Sequence, residues 1–177
     1  MGQLLTDALV IKNETLSGRN TATRVGGWME DAATAIETFP SALNFFDLSS
    51  ASVTSGNQDA WTTLVTSVTQ GFQRNGVSVD SNGLISYSGS AKQFQFSFIL
   101  SFIGSTNRKI HAAMFKNGQL WPCSEFVHVL TSGNEVTIPS QCTIPLASGD
   151  TLEVRVKCST HALSITLDNL NVIIKEF

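Results

Sequence analysis

The chain has 177 residues, of which 14% are charged, and its formal net charge at pH 7 is −3. This length allows one domain of ordinary size with an extension. The absence of a Lys/Arg cluster argues against a nucleic-acid partner. No apolar segment reaches the roughly 20 residues of a transmembrane helix, and the first residues lack the basic start of a secretory signal. We therefore expect neither a nucleic-acid nor a membrane partner.

The first part of the chain predicts an extended arm followed by a short α-helix. Leu9 and Ile11 alternate with their neighbours, and Asn20 or Thr21 can cap the helix that follows. Apolar residues then recur at helical spacing until Pro40 ends the run. They are Val25, Trp28, Met29, Ala32 and Ile36. So short a helix is not stable alone, and it packs on the body of the protein, on a neighbouring protein or on its own copies.

The small polar stretch from Ser49 to Gln58 predicts a connecting loop. We place a domain boundary there, near Gly56. Residues 1–56 then form the arm and the helix, and residues 57–177 form a separate head.

The longest periodic stretch of the chain runs from Lys92 to Gly104. Large apolar side chains fall on every second position, which is the period of a β-strand. They are Phe94, Phe96, Phe98, Leu100 and Phe102. Four aromatic rings on one face need a deep core or a subunit interface opposite them. We predict that this stretch is a central strand of a β-sandwich.

After residue 60, short alternating segments are separated by Gly, Asn and Asp turns. Asn82-Gly83 and Asn117-Gly118 predict two hairpins, because Asn-Gly accommodates positive φ angles. Residues 151–158 alternate apolar and charged side chains, as in a half-exposed strand. About eight such strands without an intervening helix predict an antiparallel sandwich, and long crossings between them favour a jelly roll. The predicted fold class is mainly β, with the N-terminal arm and helix in front.

The sequence carries no pattern that is typical of an active site. No serine stands in a G-x-S-x-G turn, and the three histidines His111, His128 and His161 lie far apart. Asp80 with Asn82 lacks the ligand spacing and final Glu of a calcium loop. We therefore expect no catalytic residues, metal or cofactor.

The three cysteines Cys123, Cys142 and Cys158 contain no C-x-x-C pair, which argues against a structural zinc site. Cys158 lies in a strand-like run and is most simply a small buried residue. A disulfide between Cys123 and Cys142 fits the sequence, but free thiols, as in a protein assembled in the cytosol, are the plainer account.

The order of strands and turns resembles the trimeric jelly-roll heads of the C1q and tumour-necrosis-factor type. The matching features are the Phe-rich strand 94–102, the strand–Asn117-Gly118–strand unit, the LASGDTLEVRV segment at 146–156 and the last strand. Residues 18–37, GRNTATRVGGWMEDAATAIE, resemble the stretch that precedes the fibre in structural proteins of tailed bacteriophages. The lack of a collagen-like repeat before the head departs from C1q and favours the phage family.

The resemblance implies a homotrimer whose heads pack around a threefold axis. We expect aromatic side chains at that axis, with Phe98, Phe102, Phe115 and Phe177 as candidates, although each ring alternatively fills the core of its own chain. The helix residues Val25, Trp28, Met29 and Ile36 are candidates for attachment to the particle.

The resulting hypothesis is a structural virion protein, a homotrimeric fibre or appendage that docks on other virion proteins through its N-terminal part. Its head then projects and adheres to a host-surface glycan or receptor, with Trp121, Asn107 and Arg108 as candidate ligand-binding residues. The alternative is a glycan- or receptor-binding trimeric module that is not part of a virion.

Overall fold

The computed structural model describes residues 40–65, 67–131 and 135–177. The predicted arm and helix, including the attachment candidates Val25, Trp28, Met29 and Ile36, lie outside these residues. The described part of the chain contains thirteen strands, one short 3-10 helix and no α-helix. No helix in it has the length and apolar character needed to cross a membrane.

The elements follow one another as β1 (Ala42–Asp47), β2 (Ser52–Gln58), β3 (Thr62–Thr63), β4 (Thr69–Arg74), β5 (Val77–Val79), β6 (Ile85–Tyr87), β7 (Lys92–Gly104), β8 (Lys109–Lys116), β9 (Gln119–Leu120), the 3-10 helix (Pro122–Ser124), β10 (Phe126–Val129), β11 (Val136–Leu146), β12 (Thr151–Cys158) and β13 (Ala162–Glu176). They form two antiparallel sheets, which pack face to face around one core. The prediction of an antiparallel β-sandwich is confirmed.

The first sheet has the strand order β11-β7-β13-β1-β4, and β2 also pairs with β13. The Phe-rich strand β7 lies between β11 and β13, as a central strand should. Its alternating side chains Phe94, Phe96, Phe98, Leu100 and Phe102 are all at most 1% exposed. They supply much of the core, because each buried ring removes a large apolar surface from water.

The second sheet has the order β10-β8-β12-β6-β5, with β3 also beside β12 and β9 beside β8. In β12, Leu152, Val154 and Val156 point into the core, whereas Arg155 and Lys157 point outward. The half-exposed strand predicted from this alternation is confirmed.

The two predicted hairpins have turns of different length. Asn117 and Gly118 have φ angles of 51° and 74° and join Lys116 to its paired residue Gln119, which matches the tight turn that Asn-Gly predicts. The hairpin of β5 and β6 is also present, but its loop spans residues 80–84. The Asp80 carboxylate accepts backbone N–H groups of Asn82 at 2.8 Å and Leu84 at 2.9 Å, which hold this wider loop.

The sandwich begins earlier than the predicted boundary near Gly56, which falls inside β2. Both β1 and β2 pair with β13, with Phe45 opposite Val172 and Val53 opposite Ile165. The polar sequence of β2 is typical of a loop because only one of its seven side chains is buried. Residues from Ala42 onward therefore belong to the head.

Candidate assembly interface

The outer face of the first sheet carries apolar side chains where a strand facing only water would carry polar ones. Phe72, Ile99, Ile103 and Ile173 are 41–46% exposed on this face, and we call them the face patch. Ile99 and Ile173 are diagonal neighbours, because Ile99 pairs with Asn171 and Ile173 with Ser97. Such diagonal side chains are within reach of each other.

A shallow depression of about 360 Å³ lies on this face, over β11, β7 and β13. Its lining includes Ser97, Ile99, Pro139, Gln141, Asn171 and Ile173. The outward positions of β7 from Gln93 to Ile103 carry no charged side chain. A partner surface that covers the depression would bury apolar groups without having to desolvate ions.

One row of polar groups crosses the same face. Ser101 and Thr137 share a hydrogen bond of 2.8 Å between their hydroxyl oxygens. Asn169 is opposite Ser101 in the register, just after a bulge in β13. Its side-chain oxygen is buried and accepts no hydrogen bond within the described part of the chain. A buried acceptor of this kind costs free energy until a donor reaches it.

Apolar side chains are also exposed on both faces of β10, the strand that ends the second sheet at one edge of the sandwich. Phe126, Val127 and Val129 are 37%, 42% and 50% exposed, and we call them the edge patch. β10 pairs only with β8 among the described strands. An apolar edge strand is a template for contact with another chain.

The aromatic candidates for the threefold axis do not share one surface. Phe98 and Phe102 are 1% and 0% exposed and face the second sheet, so they fill the core of their own chain. Phe115 lies on the outer face of the second sheet, covered by Trp61 with ring centroids 5.1 Å apart and by Arg155. Phe177 is 75% exposed beyond β13. The rings of Phe98, Phe102 and Phe115 are covered within their own chain, whereas the side chains of the face patch are exposed.

The positions that sequence reasoning missed are those between the phenylalanines. Ile99 and Ile103 lie on the face of β7 opposite the phenylalanines, among polar residues. Isoleucine at such positions indicates a second apolar surface. Parity alone could have found them.

The three candidate ligand-binding residues are not brought together. Trp121 is half-buried, packs against the core and donates from its ring nitrogen to the Thr143 carbonyl at 3.3 Å. Its backbone N–H bonds to Met114, whereas Asn107 and Arg108 precede the other end of β8. Five residues of strand separate the two ends by about 17 Å. Arg108 donates to the Ala162 carbonyl at 3.0 Å.

One hydrogen-bonded chain on the outer face of the second sheet has the order of a nucleophile, a base and a carboxylate. His111 is 2.7 Å from Glu125 through Nδ1 and 3.1 Å from Ser159 through Nε2. The backbone N–H of Ser159 donates to the Lys109 carbonyl. Across the described ranges, no three His, Cys, Asp or Glu side chains are grouped to hold a metal ion.

The amino-acid sequence matches no protein-family model and no curated protein, but solved structures share its fold. Eiger TNF from S. frugiperda aligns with a TM-score of 0.59 at 11% identity, over 78% of this chain and 94% of that chain. The globular domain of zebrafish complement 1qA protein gives 0.57 at 10%, over 78% and 97%. PRD1 vertex protein P5 gives 0.54 at 15%, over 77% and 96%.

These likenesses concern the fold, and they agree with the two-sheet topology described above. The chain carries a jelly-roll sandwich of the TNF and C1q type.

Proposed function

We propose that this chain is a homotrimeric structural protein of a tailed-phage virion, in which residues before Pro40 dock on the particle and the jelly-roll head projects. The observation that carries the proposal is the pair of unlike apolar patches on one head. The virion assignment is supported by the resemblance of residues 18–37 to phage structural proteins. It is further supported by the shared fold of a protein named for a vertex.

The two patches favour a ring over a symmetric pair. A twofold contact uses the same patch on both chains, whereas contact between a face patch and an edge patch leaves each chain with one free patch of each kind. Chains then add head to tail until the ring closes. A closed ring of any size satisfies every patch, and the resemblance to trimeric heads selects three copies.

Light scattering after size exclusion tests the assembly with the full chain. We expect a mass of three chains. Ile99→Asp in the face patch and Val129→Asp in the edge patch should each give a folded monomer, because either change places a charge in a dry contact. Ser86→Asp, on an exposed position of β6, adds the same charge elsewhere and should leave the trimer intact.

Circular dichroism distinguishes a folded monomer from an unfolded variant. A monomeric unmodified chain would overturn the homotrimer, and a trimer that survives both patch substitutions would show that the interface lies elsewhere.

We propose a structural role for the Ser159–His111–Glu125 chain, and no catalysis. It joins three separate segments, and the Ser159 N–H, the nearest candidate to stabilise an oxyanion, is already engaged. Trp61 lies edge-on to His111 at 6.5 Å and restricts the ring. Labelling of Ser159 by a serine-directed fluorophosphonate would contradict this role.

The alternative is a trimeric glycan- or receptor-binding module outside a virion. The shared fold with a TNF and a complement protein favours it. It has the same trimer, so oligomeric mass does not separate the two functions. A saturable change in tryptophan fluorescence on titration with surface polysaccharide would support glycan binding.

A further inference from the structure

Two thiols meet at the edge of the sandwich where the sheets come together. Cys142 lies on the inward-facing phase of β11, at the edge of the first sheet, and packs against the core. Cys123 lies in the 3-10 helix that leads into β10 of the second sheet, and it is exposed. Both are free thiols, and each belongs to a different sheet.

Two hydrogen bonds bracket the pair and fix its spacing. Ser140 donates from Oγ to the Ser124 carbonyl at 3.0 Å, and Trp121 donates from its ring to the Thr143 carbonyl at 3.3 Å. These bonds join the residues on either side of Cys142 to the residues on either side of Cys123. The segments are thus held side by side, as a disulfide requires of the two backbones.

The 3-10 segment is also anchored from behind. The buried Ser124 hydroxyl accepts the Met114 backbone N–H at 2.9 Å, and the Trp121 N–H donates to the Met114 carbonyl at 2.9 Å. Because both ends of the segment are fixed to β8, Cys123 stays next to Cys142 instead of moving with a free loop.

We propose that Cys123 and Cys142 are an oxidisable pair, which forms an intramolecular disulfide between the two sheets when a small-molecule disulfide is present. The proposal does not depend on the trimer. Cys158 takes no part, because it is 1% exposed and lies on the core side of β12.

The reaction has two exchange steps. The exposed Cys123 thiolate attacks oxidised glutathione, forming a mixed disulfide and releasing one glutathione thiolate. Cys142 then loses its proton and attacks the Cys123 sulfur, which expels the second glutathione. Two electrons pass from the protein thiols to oxidised glutathione, and the products are one protein disulfide and two molecules of glutathione.

The order of attack follows from the environment of Cys142. Burial and then the neighbouring Cys123 thiol raise the pKa of Cys142 to about 12. Cys142 keeps its proton at neutral pH, so Cys123 reacts first and the second step is faster at pH 9 than at pH 7. Mixed disulfide should accumulate briefly at the lower pH.

The test treats the reduced full chain with oxidised glutathione, blocks remaining thiols with iodoacetamide and maps the peptides by mass spectrometry. We expect one cross-linked peptide pair containing Cys123 and Cys142, with Cys158 alkylated after unfolding. The cross-link should raise the Tm by about 10 °C, because it closes a loop of roughly 20 residues. Dithiothreitol should reverse the shift.

Cys123→Ser and Cys142→Ser should each abolish the cross-link and the Tm shift, and Cys158→Ala should keep both. If Cys142→Ser and Cys158→Ala fail to fold, Cys123→Ser alone tests the proposal, since Cys123 is exposed and its substitution should not affect folding. The proposal would be overturned if both thiols stayed reactive towards iodoacetamide, or if a mixed disulfide persisted on Cys123 at pH 9. A cross-link to Cys158 or to another chain would also overturn it.

Discussion

Asp150 joins two turns of the head through one carboxylate. It lies 2.9 Å from the Lys116 ammonium, accepts a hydrogen bond from the Asn117 amide at 2.7 Å, and accepts the Ala147 backbone N–H at 2.8 Å. The Asn117 side-chain oxygen in turn accepts a hydrogen bond from the Thr151 backbone N–H at 2.8 Å. The turn after β8 and the turn before β12 are therefore fixed to each other.

The hydrogen bonds to Asp150 make head stability depend on acid. Burial alone would raise the pKa of Asp150, but the bonds from Lys116, Asn117 and Ala147 outweigh it and lower the pKa to about 2, from 3.8. A carboxyl whose pKa is lower in the folded state stabilises it above the unfolded pKa, and this contribution is lost as pH falls.

We expect Asp150→Asn to have a Tm lower by about 3 °C at neutral pH, for a loss of about 1 kcal/mol. The gap between the two proteins should close between pH 4 and pH 2. Differential scanning calorimetry at several pH values measures it. Curves that stay parallel over this range would show that Asp150 contributes no acid dependence.

At the scale of one element, β7 presents two different surfaces to its surroundings. Phe98 faces the second sheet and is 1% exposed, whereas its neighbour Ile99 faces away and is 46% exposed. One position along the strand therefore separates a core side chain from an exposed one that we propose to act in association.

Substitutions at these two neighbours should separate the effects when they are made in the Val129→Asp chain, which we expect to be monomeric. Phe98→Ala should lower the free energy of unfolding by about 3–5 kcal/mol, through lost burial and a cavity. Ile99→Ala should change it by about 0.5 kcal/mol or less. Urea denaturation followed by circular dichroism measures both, and equal losses would contradict the assignment of the two faces.

The same strand shows what a sequence can predict. Period-two alternation predicted β7 and β12, and Asn117-Gly118 predicted its turn, because these signals are local. Parity divides β7 into two faces but does not say which face another sheet covers. Which face is covered depends on how distant strands pair. The sequence therefore allowed Phe98 and Phe102 to be interface candidates, although both are buried in the core of their own chain.

Two other differences have physical causes of the same kind. The strand β2 has one buried side chain, Val53, so its place in the sheet comes from its backbone bonds to β13. Trp121 and Arg108 are thirteen positions apart in sequence, yet the length of β8 keeps them at opposite ends of the sheet. The proximity of His111, Glu125 and Ser159 likewise depends on three distant segments.

At the scale of the whole molecule, the two sheets have different outer surfaces. The second sheet carries charged and aromatic groups that engage one another, including Lys157 with Asp59 at 3.2 Å and Lys157 over the Trp61 ring at 5.0 Å. The first sheet presents the uncharged face patch. The paired charges therefore lie on the outer face of the second sheet, whereas the exposed apolar side chains of the face patch lie on the first sheet, where we propose contact with the edge patch of a second copy.

Because β13 is the last strand in sequence, the head cannot complete its first sheet until late in synthesis. Its 15 residues pair with β7, β1 and β2, all of which the ribosome makes much earlier. The first sheet cannot close during synthesis until β13 has emerged, so the apolar strand β7 lacks one of its two pairing strands until then. Such late, long-range pairing slows folding and exposes nascent chains to aggregation. Slow translation would lengthen the time for which β7 lacks this partner, and a chaperone that binds apolar strands would reduce aggregation during that time.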